Sequence, residues 1–363
     1  MSKNYDVIFS GISFLLLIFG LFILASASLG ISISRFGNPY YYLFHQLIFG
    51  VLPGAILFYF TFKIPYVTWR RFALPLLLAA VFLMFLVFVP GVGFYHGGAR
   101  RWISLGPIFF QPSEVLKFAY IVYLAAWLES KSKALDSFKF GLLPFVIMSS
   151  FIASFLIFQP DIGTLAALSA AVLALFFLSG GNLKQIALLS LAGLVIIGIL
   201  VVAEPYRLDR LTVFLNPEHD PQGIGYQINQ ALIAVGSGGF WGRGFGLSRQ
   251  KFSYLPEPVG DSIFAVAAEE LGFLGVMFLI VLFILLFLRG IWISRRAPDA
   301  FGKFLAAGLL FLITFQALIN ISAIIGLMPL TGIPLPFVSY GRSALALNLA
   351  ELGIILNISK KRA

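Results

Sequence analysis

The stretch EPYRLDRLTVFLNPEHDPQGIGYQINQALIAVGSGGFWGRGFGLSRQKFSYLPEPVGD, Glu204 to Asp261, decides how the rest of the chain is read. It is the one long segment without an apolar run of membrane-spanning length. It also gathers charge that the flanking sequence excludes. On both sides the chain reads as one bilayer-length apolar segment after another. The stretch is therefore a polar platform between membrane helices, with Asp261 at its far edge, where the next helix begins.

Composition supports this reading. Of 363 residues, 60% are hydrophobic and 11% are charged, and the mean hydropathy is +0.97. A water-soluble chain of this length cannot hide so much apolar surface, so the bilayer must be its solvent. There is no cysteine, which excludes disulfides, thiolate nucleophiles and Cys-ligated metals. Ala25-Ser26-Ala27 looks like a signal-peptidase site, but the apolar run from Val7 is longer than a signal core. An uncleaved first helix is expected.

Hydropathy predicts about ten spans, near 7–28, 44–62, 72–89, 113–129, 140–158, 161–179, 185–203, 262–288, 304–326 and 342–358. The expected fold is an all-α polytopic membrane protein: one membrane domain over 1–363, with a long extracytoplasmic loop, 204–261, between helices 7 and 8. With the N-terminus inside, most Lys and Arg fall in cytoplasmic loops, from Lys3 and Lys63 through Lys133 and Lys139 to Arg295, Lys361 and Arg362. An even span count returns the C-terminus to the cytoplasm. The net charge of +10 is thus mostly topological, and no nucleic-acid partner is needed to explain it.

Basic residues on the outer side run against that rule. Arg100 and Arg101 stand in GARRWISLGPIFFQPSE, Arg207 and Arg210 open the long loop, and Arg342 stands in LPFVSYGRSA. Four inward-running helices start just after proline, at Gln111-Pro112-Ser113-Glu114, Gln159-Pro160-Asp161, Pro256-Glu257-Pro258-Val259-Gly260-Asp261 and Pro334-Leu335-Pro336. Their N-termini offer free N–H groups and positive dipole charge to an anion at the outer surface. Within the platform, Ile224 to Val235 has the pattern of a short amphipathic helix.

Asp261 has two readings, a helix cap for orphan N–H groups or a carboxylate general base at the membrane surface. On a helix running inward from it, Glu269 lies about 12 Å deeper, too far to share a proton. Glu114 and Lys117 are three apart on one face. They read either as a structural ion pair or as a phosphate-binding lysine with its positioning carboxylate. Asp161 is a cap or a site residue. Arg100, Arg101 and Arg210 either pair with loop carboxylates such as Asp209 and Glu218 or neutralise a diphosphate. His45, His96 and His219 show no metal-ligand spacing. The glycines of GSGGFWGRGFG lack a P-loop lysine. Gln316, Asn320, Asn348 and Glu351 add polarity to the last two spans, with interhelical hydrogen bonding as their default role.

Six segments taken together are specific. GARRWISLG, FQPSEVLKFA, QPDIGT, LDRLTVFLNPEHDPQGIGYQINQALIAVGSGGFWGRGFG, LPEPVGDSIFAVAAEELGFLG and GLMPLTGIPLPFVSYG resemble, in order, the SEDS family (shape, elongation, division and sporulation). The form of the eighth-helix start and of TGIPLPFVSYG looks most like its elongation branch. The resemblance implies ten helices and peptidoglycan glycosyltransferase activity on lipid II, a disaccharide-pentapeptide carried on undecaprenyl diphosphate. It also implies a class B penicillin-binding protein as transpeptidase partner, beside other elongation-machinery membrane proteins. It maps the essential acid to Asp261, the QPSEVLK pair to Glu114 and Lys117, and the QPDIGT acid to Asp161. One departure stands out: Arg342 follows Gly341 where the family usually has a second glycine.

The reaction so implied is attack of an acceptor 4-hydroxyl on the donor's anomeric carbon, with inversion and loss of undecaprenyl diphosphate. It needs one base, Asp261, and cations for the leaving group: Arg101, Lys117 and Arg210, with a divalent ion, Mg²⁺ or Mn²⁺. No organic cofactor is expected. The expected location is the bacterial cytoplasmic membrane, with both termini inside and the site on the outer face. The rival readings are a lipid II flippase, for which intramembrane Glu114 and Lys117 would suit, and a non-catalytic scaffold.

Overall fold

Asp6 begins the bundle by accepting a hydrogen bond from Phe9 N at 2.8 Å, a side-chain cap that starts α1, Val7–Ala27. The computed structural model describes residues 5–96, 99–105, 108–132, 134–135, 137–216, 220, 222–252 and 254–360. Lys3, Lys133, Glu218, His219, Lys361 and Arg362 lie outside the described residues, as does the side chain of His96.

After α1 come α2 (Leu29–Phe36), α3 (Tyr41–Lys63) and α4 (Tyr66–Leu86). Three short strands follow: β1 (Gly93–His96), β2 (Ala99–Leu105) and β3 (Ile108–Phe110). Then come α5 (Pro112–Lys131), α6 (Phe138–Phe158), α7 (Ile162–Leu178), α8 (Leu183–Val202), α9 (Pro205–Leu215) and α10 (Ile224–Ser237). The last three are α11 (Ile263–Arg295), α12 (Ala300–Ile324) and α13 (Arg342–Ser359). All ten expected spans have a helix, with bounds within about seven residues of those expected. The additional helices are α2, α9 and α10, and α10 covers the amphipathic segment expected from Ile224.

Seven of these helices, α1, α3, α4, α6, α8, α11 and α12, are long and apolar enough to cross a membrane; α7 is apolar but shorter. α5 and α13 are more polar because protein, not lipid, surrounds them. Most of α5 and nearly all of α13 are buried. α13 lies closely against α3: a Cβ at Gly353 would sit 2.1 Å from Thr61 Oγ1. Small residues permit this approach where lipid offers no hydrophobic drive between helices.

Both ends of the chain reach the same end of the bundle, since Asp6 N donates to Ser359 Oγ at 3.0 Å. Arg289 closes that end through a 2.9 Å ion pair with Asp6. The opposite, loop end carries the platform, the three strands and the coil between α12 and α13. The strands lie in the loop between the expected spans 72–89 and 113–129, the segment of Arg100 and Arg101, where the sequence predicts no regular structure. They form one antiparallel sheet in the order β1-β2-β3.

Helix lengths show that α11 is not straight. Asn320, 20 residues into α12, stands about 30 Å from the α11–α12 turn, and it donates to the Asp261 carbonyl at 2.9 Å. A straight α11 would carry Asp261 about 50 Å from the same turn. The difference is taken up at Gly272, whose backbone is non-helical (φ 64°, ψ −167°). Only glycine adopts that conformation readily. The first turns of α11, Ile263 to Leu271, therefore do not continue the line of the spanning part.

Candidate active site

Asp261 does not cap a helix. The residue at the cap position of α11 is Ser262, and its side chain makes no capping bond. The Asp261 carboxylate, half-buried, instead accepts from Gln227 Nε2, with both oxygens at 3.3 Å. The same amide donates to Ser262 Oγ at 3.1 Å. Desolvation, and then the nearby charge of Glu257, push the Asp261 carboxyl up to about 6; Arg210 and the Gln227 hydrogen bond pull the other way. A carboxylate tuned to that range and not engaged in capping is suited to taking a proton near neutral pH.

The coil between α12 and α13 is the hub around it. Ser339 Oγ donates to Gly260 O at 2.7 Å, and Tyr340 N donates to Val259 O at 2.8 Å. Asn320 also reaches Ile333 O, and Gln316 Nε2 reaches Pro334 O at 3.0 Å. Arg210 Nη1 donates to Leu330 O at 2.8 Å. The prolines of MPLTGIPLPF keep this segment out of a helix and leave its carbonyls available as acceptors.

The other expected site residues approach this hub to different degrees. Arg210 is near enough for its charge to favour the ionised form of Asp261. Lys117 is turned into the bundle, 3% exposed, paired with Glu114 (4% exposed) at 2.9 Å. It also donates to Gln316 Oε1 at 2.8 Å. It touches the site through Gln316 and the Pro334 carbonyl, not through open space. Asp161 caps α7, accepting from Thr164 N at 3.2 Å. Arg101, on β2, binds the carbonyls of Gln159 and Pro160 just before it. A guanidinium has five donors, and these two bonds leave others for an anion.

Glu269 corrects the expectation of depth. Glu270 accepts from Ser26 Oγ, next to the last residue of α1, so this pair lies at the loop end and not two turns inside. Lys251 Nζ pairs with Glu270 at 2.6 Å and also binds Ser26 Oγ and Gly246 O. Glu269 accepts from Ser248 Oγ and from Arg249 N and Gln250 N. These two carboxylates hold the glycine-rich segment against α11. Its glycines serve that docking.

Arg342 is the first residue of α13, with ordinary helical backbone, so nothing in the chain path requires glycine there. Its guanidinium packs 5.6–5.9 Å from the ring centres of Phe49, Phe109 and Tyr340.

The expected divalent ion finds no ready-made protein site. Among the described residues no three His, Cys, Asp or Glu side chains gather in a metal-holding group. Asp261 and Glu257 alone are too few ligands for an octahedral ion.

Sequence reasoning missed Gln227. Its signal was its helical phase with Ala231 and Ala234, which puts an amide on the face that packs against α11. For Gln316 and Asn320 the sequence predicts interhelical hydrogen bonding, and the structure adds their bonds to the coil.

Comparisons with known proteins show the family and the fold. The chain matches the profile of the FtsW/RodA/SpoVE cell cycle protein family over residues 7–363. It is 42% identical to stage V sporulation protein E of Bacillus subtilis, over 98% of this chain and 97% of that protein. It is 40% identical to a probable peptidoglycan glycosyltransferase FtsW of Trichlorobacter lovleyi, over 98% of this chain and 93% of the relative. Among solved structures, a chain from work on polymerization and crosslinking by a peptidoglycan synthase complex superposes with a TM-score of 0.78 at 29% identity, covering 99% of this chain and 98% of that one. The rod shape determining protein RodA of Thermus thermophilus superposes with a TM-score of 0.74 at 26% identity, over 99% of this chain and 98% of that one. The protein is a polytopic, all-α membrane protein that belongs to the FtsW/RodA/SpoVE, or SEDS, family.

Proposed function

We propose that this chain is a peptidoglycan glycosyltransferase that polymerises lipid II on the outer face of the bacterial cytoplasmic membrane. The observation that carries the reading is Asp261: half-buried, pushed up to about 6 and not spent on a helix cap. One Asp261 oxygen takes the proton of the acceptor 4-hydroxyl as the hydroxyl oxygen bonds to the donor's anomeric carbon. The anomeric C–O bond to the diphosphate breaks with inversion, and its electron pair leaves on undecaprenyl diphosphate. The proton then passes to water. A positioned base contributes about 10²–10⁴-fold, and stabilising the departing diphosphate is the larger electrostatic task. Arg210, bound to Leu330 O, and Arg101, bound to the carbonyls just before α7, serve that task. Glu114 and Lys117 set the position of Gln316 beneath it, and Asp161 orders the Arg101 side.

The partner that fits is a class B penicillin-binding protein, and the structural neighbour described with crosslinking supports this reading. The cell process is a finer matter. The motif forms favour elongation and other elongation-machinery partners, whereas the two relatives quoted carry sporulation and division names. Complementation of strains lacking each function separates these roles.

The test of the activity is polymerisation of lipid II by purified wild type and Asp261→Ala, with and without Mg²⁺ or Mn²⁺. Glycan ladders should appear with wild type and vanish with the variant, which still binds its partner. Near-normal ladders from Asp261→Ala would end the base reading. One observation favours flipping as a second reading. Asn348 Nδ2 and Glu351 Oε2 are buried without a partner halfway along α13, in the neighbourhood of Lys117. Lipid II transport in sealed vesicles that persists in Asp261→Ala would support it.

A further inference from the structure

α10 brings one amide to the carboxylate on which the proposed chemistry turns. We propose that Gln227 is a positioning residue for Asp261, holding its carboxylate in the orientation that accepts the acceptor's proton. The inference rests on the reading of Asp261 as the base.

The geometry is that of a single neutral donor shared by two acceptor oxygens, each at 3.3 Å. A carboxylate has about four lone-pair sites, so a substrate hydroxyl can be accepted while the Gln227 contact is kept. The donor's neutrality matters. A Lys or Arg in the same place would stabilise the anion strongly and make it a poor base. An amide fixes the orientation at a smaller cost in basicity. The charged groups that face Asp261 are Glu257, from the turn before it, and Arg210, from α9. α12 contributes the Asn320 amide, and the coil after α12 contributes backbone near Gly332. Gln227 is the side-chain donor to this carboxylate among the described residues.

Its placement is built into the fold. Ala231 and Ala234, on the same face of α10, are fully buried. At the far end of that helix a Cβ on Gly238 would lie 2.0 Å from the Ala268 carbonyl, so the two helices meet backbone to backbone. Just beyond, Arg243 N and Gly244 N donate to the carbonyls of Glu269 and Glu270 at 3.0 Å each. α10 is thus docked at both ends, at Ser262 and at Glu269–Glu270. Gln227 has little freedom to move away.

The experiment is the pH profile of lipid II polymerisation by full-length wild type, Gln227→Leu, Gln227→Asn and Gln227→Glu, with Asp261→Asn as control and melting temperatures throughout. Gln227→Leu should lower kcat by about ten- to hundredfold, the range for losing a hydrogen bond to a charged group, and leave KM nearly unchanged. Its acidic limb should move to higher pH, because the anion has lost a donor. Gln227→Glu should move that limb further, through a second carboxylate. Gln227→Asn should recover part of the rate with a limb near wild type. A Gln227→Leu profile that superposes on wild type overturns the proposal. So does a lower rate with an unmoved limb and a lower melting temperature, which marks packing alone. If Gln227→Leu does not fold, the limb positions of the Asn and Glu variants decide by the same criterion. Full activity in Asp261→Asn would instead remove the base reading itself.

Discussion

Asn320 Nδ2 donates to the backbone carbonyl of Asp261 at 2.9 Å and to that of Ile333 at 2.8 Å. One amide on α12 thereby ties the candidate base to the coil that surrounds it, independently of the base's own carboxylate. Gln316 stands one turn below on the same helix and joins Lys117 to the Pro334 carbonyl.

Replacing Asn320 with leucine keeps the volume and removes both bonds. Two partly buried carbonyls then lose their donor, at about 1–3 kcal/mol each. The expected result is a lower melting temperature in detergent together with a fall in polymerisation rate. Unchanged melting would show that the coil is held by its other contacts.

Asp261→Asn should stabilise the protein while abolishing activity. The folded-state value of about 6 lies above the ordinary 3.8. The folded state therefore holds its proton more tightly than the unfolded one. Ionisation costs nothing to stability below pH 3.8, costs progressively more up to pH 6 and has its full effect above it. At pH 7.5 that effect is at most about 3 kcal/mol. Thermal melts of wild type and Asp261→Asn at pH 4 and pH 7.5 should differ only at the higher pH.

Wild-type polymerisation should itself rise through an acidic limb near pH 6, because the base works deprotonated. Values of kcat/KM from pH 5 to 8, taken at lipid II well below KM, locate the limb. A rate independent of pH over that range would rule out titration of Asp261 in the chemical step.

Lys117→Met should be far more damaging than Glu114→Gln combined with Lys117→Met. The single change leaves a buried Glu114 carboxylate without its cation, at about 3–5 kcal/mol, while the double change removes both charges. Melting temperatures and detergent-extracted yield of the three proteins measure this. A double variant that melts like wild type but binds lipid II less tightly would assign Lys117 to the substrate.

Gly272→Ala should disrupt the loop end. The φ of +64° disfavours any side chain, and a Cβ would lie 2.2 Å from Gly242 N. Loss of monodisperse protein, or protease cleavage within 239–252, is the expected readout. Lys251→Met, which strands Glu270, should expose the same segment to protease with the helices intact.

The expected spans are met by helices because twenty apolar residues in lipid leave the backbone only one economical solution. The Arg100–Arg101 strands were not foreseen, since three short strands give too brief an alternation to stand out beside helices of this length. Asp261 was singled out by its place at the edge of the polar platform. Its choice between cap and base was not readable, because both need an acid at the start of a helix. Nor was the path of α11: one glycine in a long apolar run does not announce a left-handed backbone.

Hydropathy, the placement of Lys and Arg, and the six ordered segments were enough to name the membrane class, the family and the positions of the helices, because each of these depends on local sequence. Three-dimensional packing was needed to turn Glu269 and Glu270 into a clasp at the loop end, to bury Lys117 and to bring Gln227 to Asp261. Those contacts join residues up to 244 positions apart, and they come from the break at Gly272 and the proline-rich coil beside it.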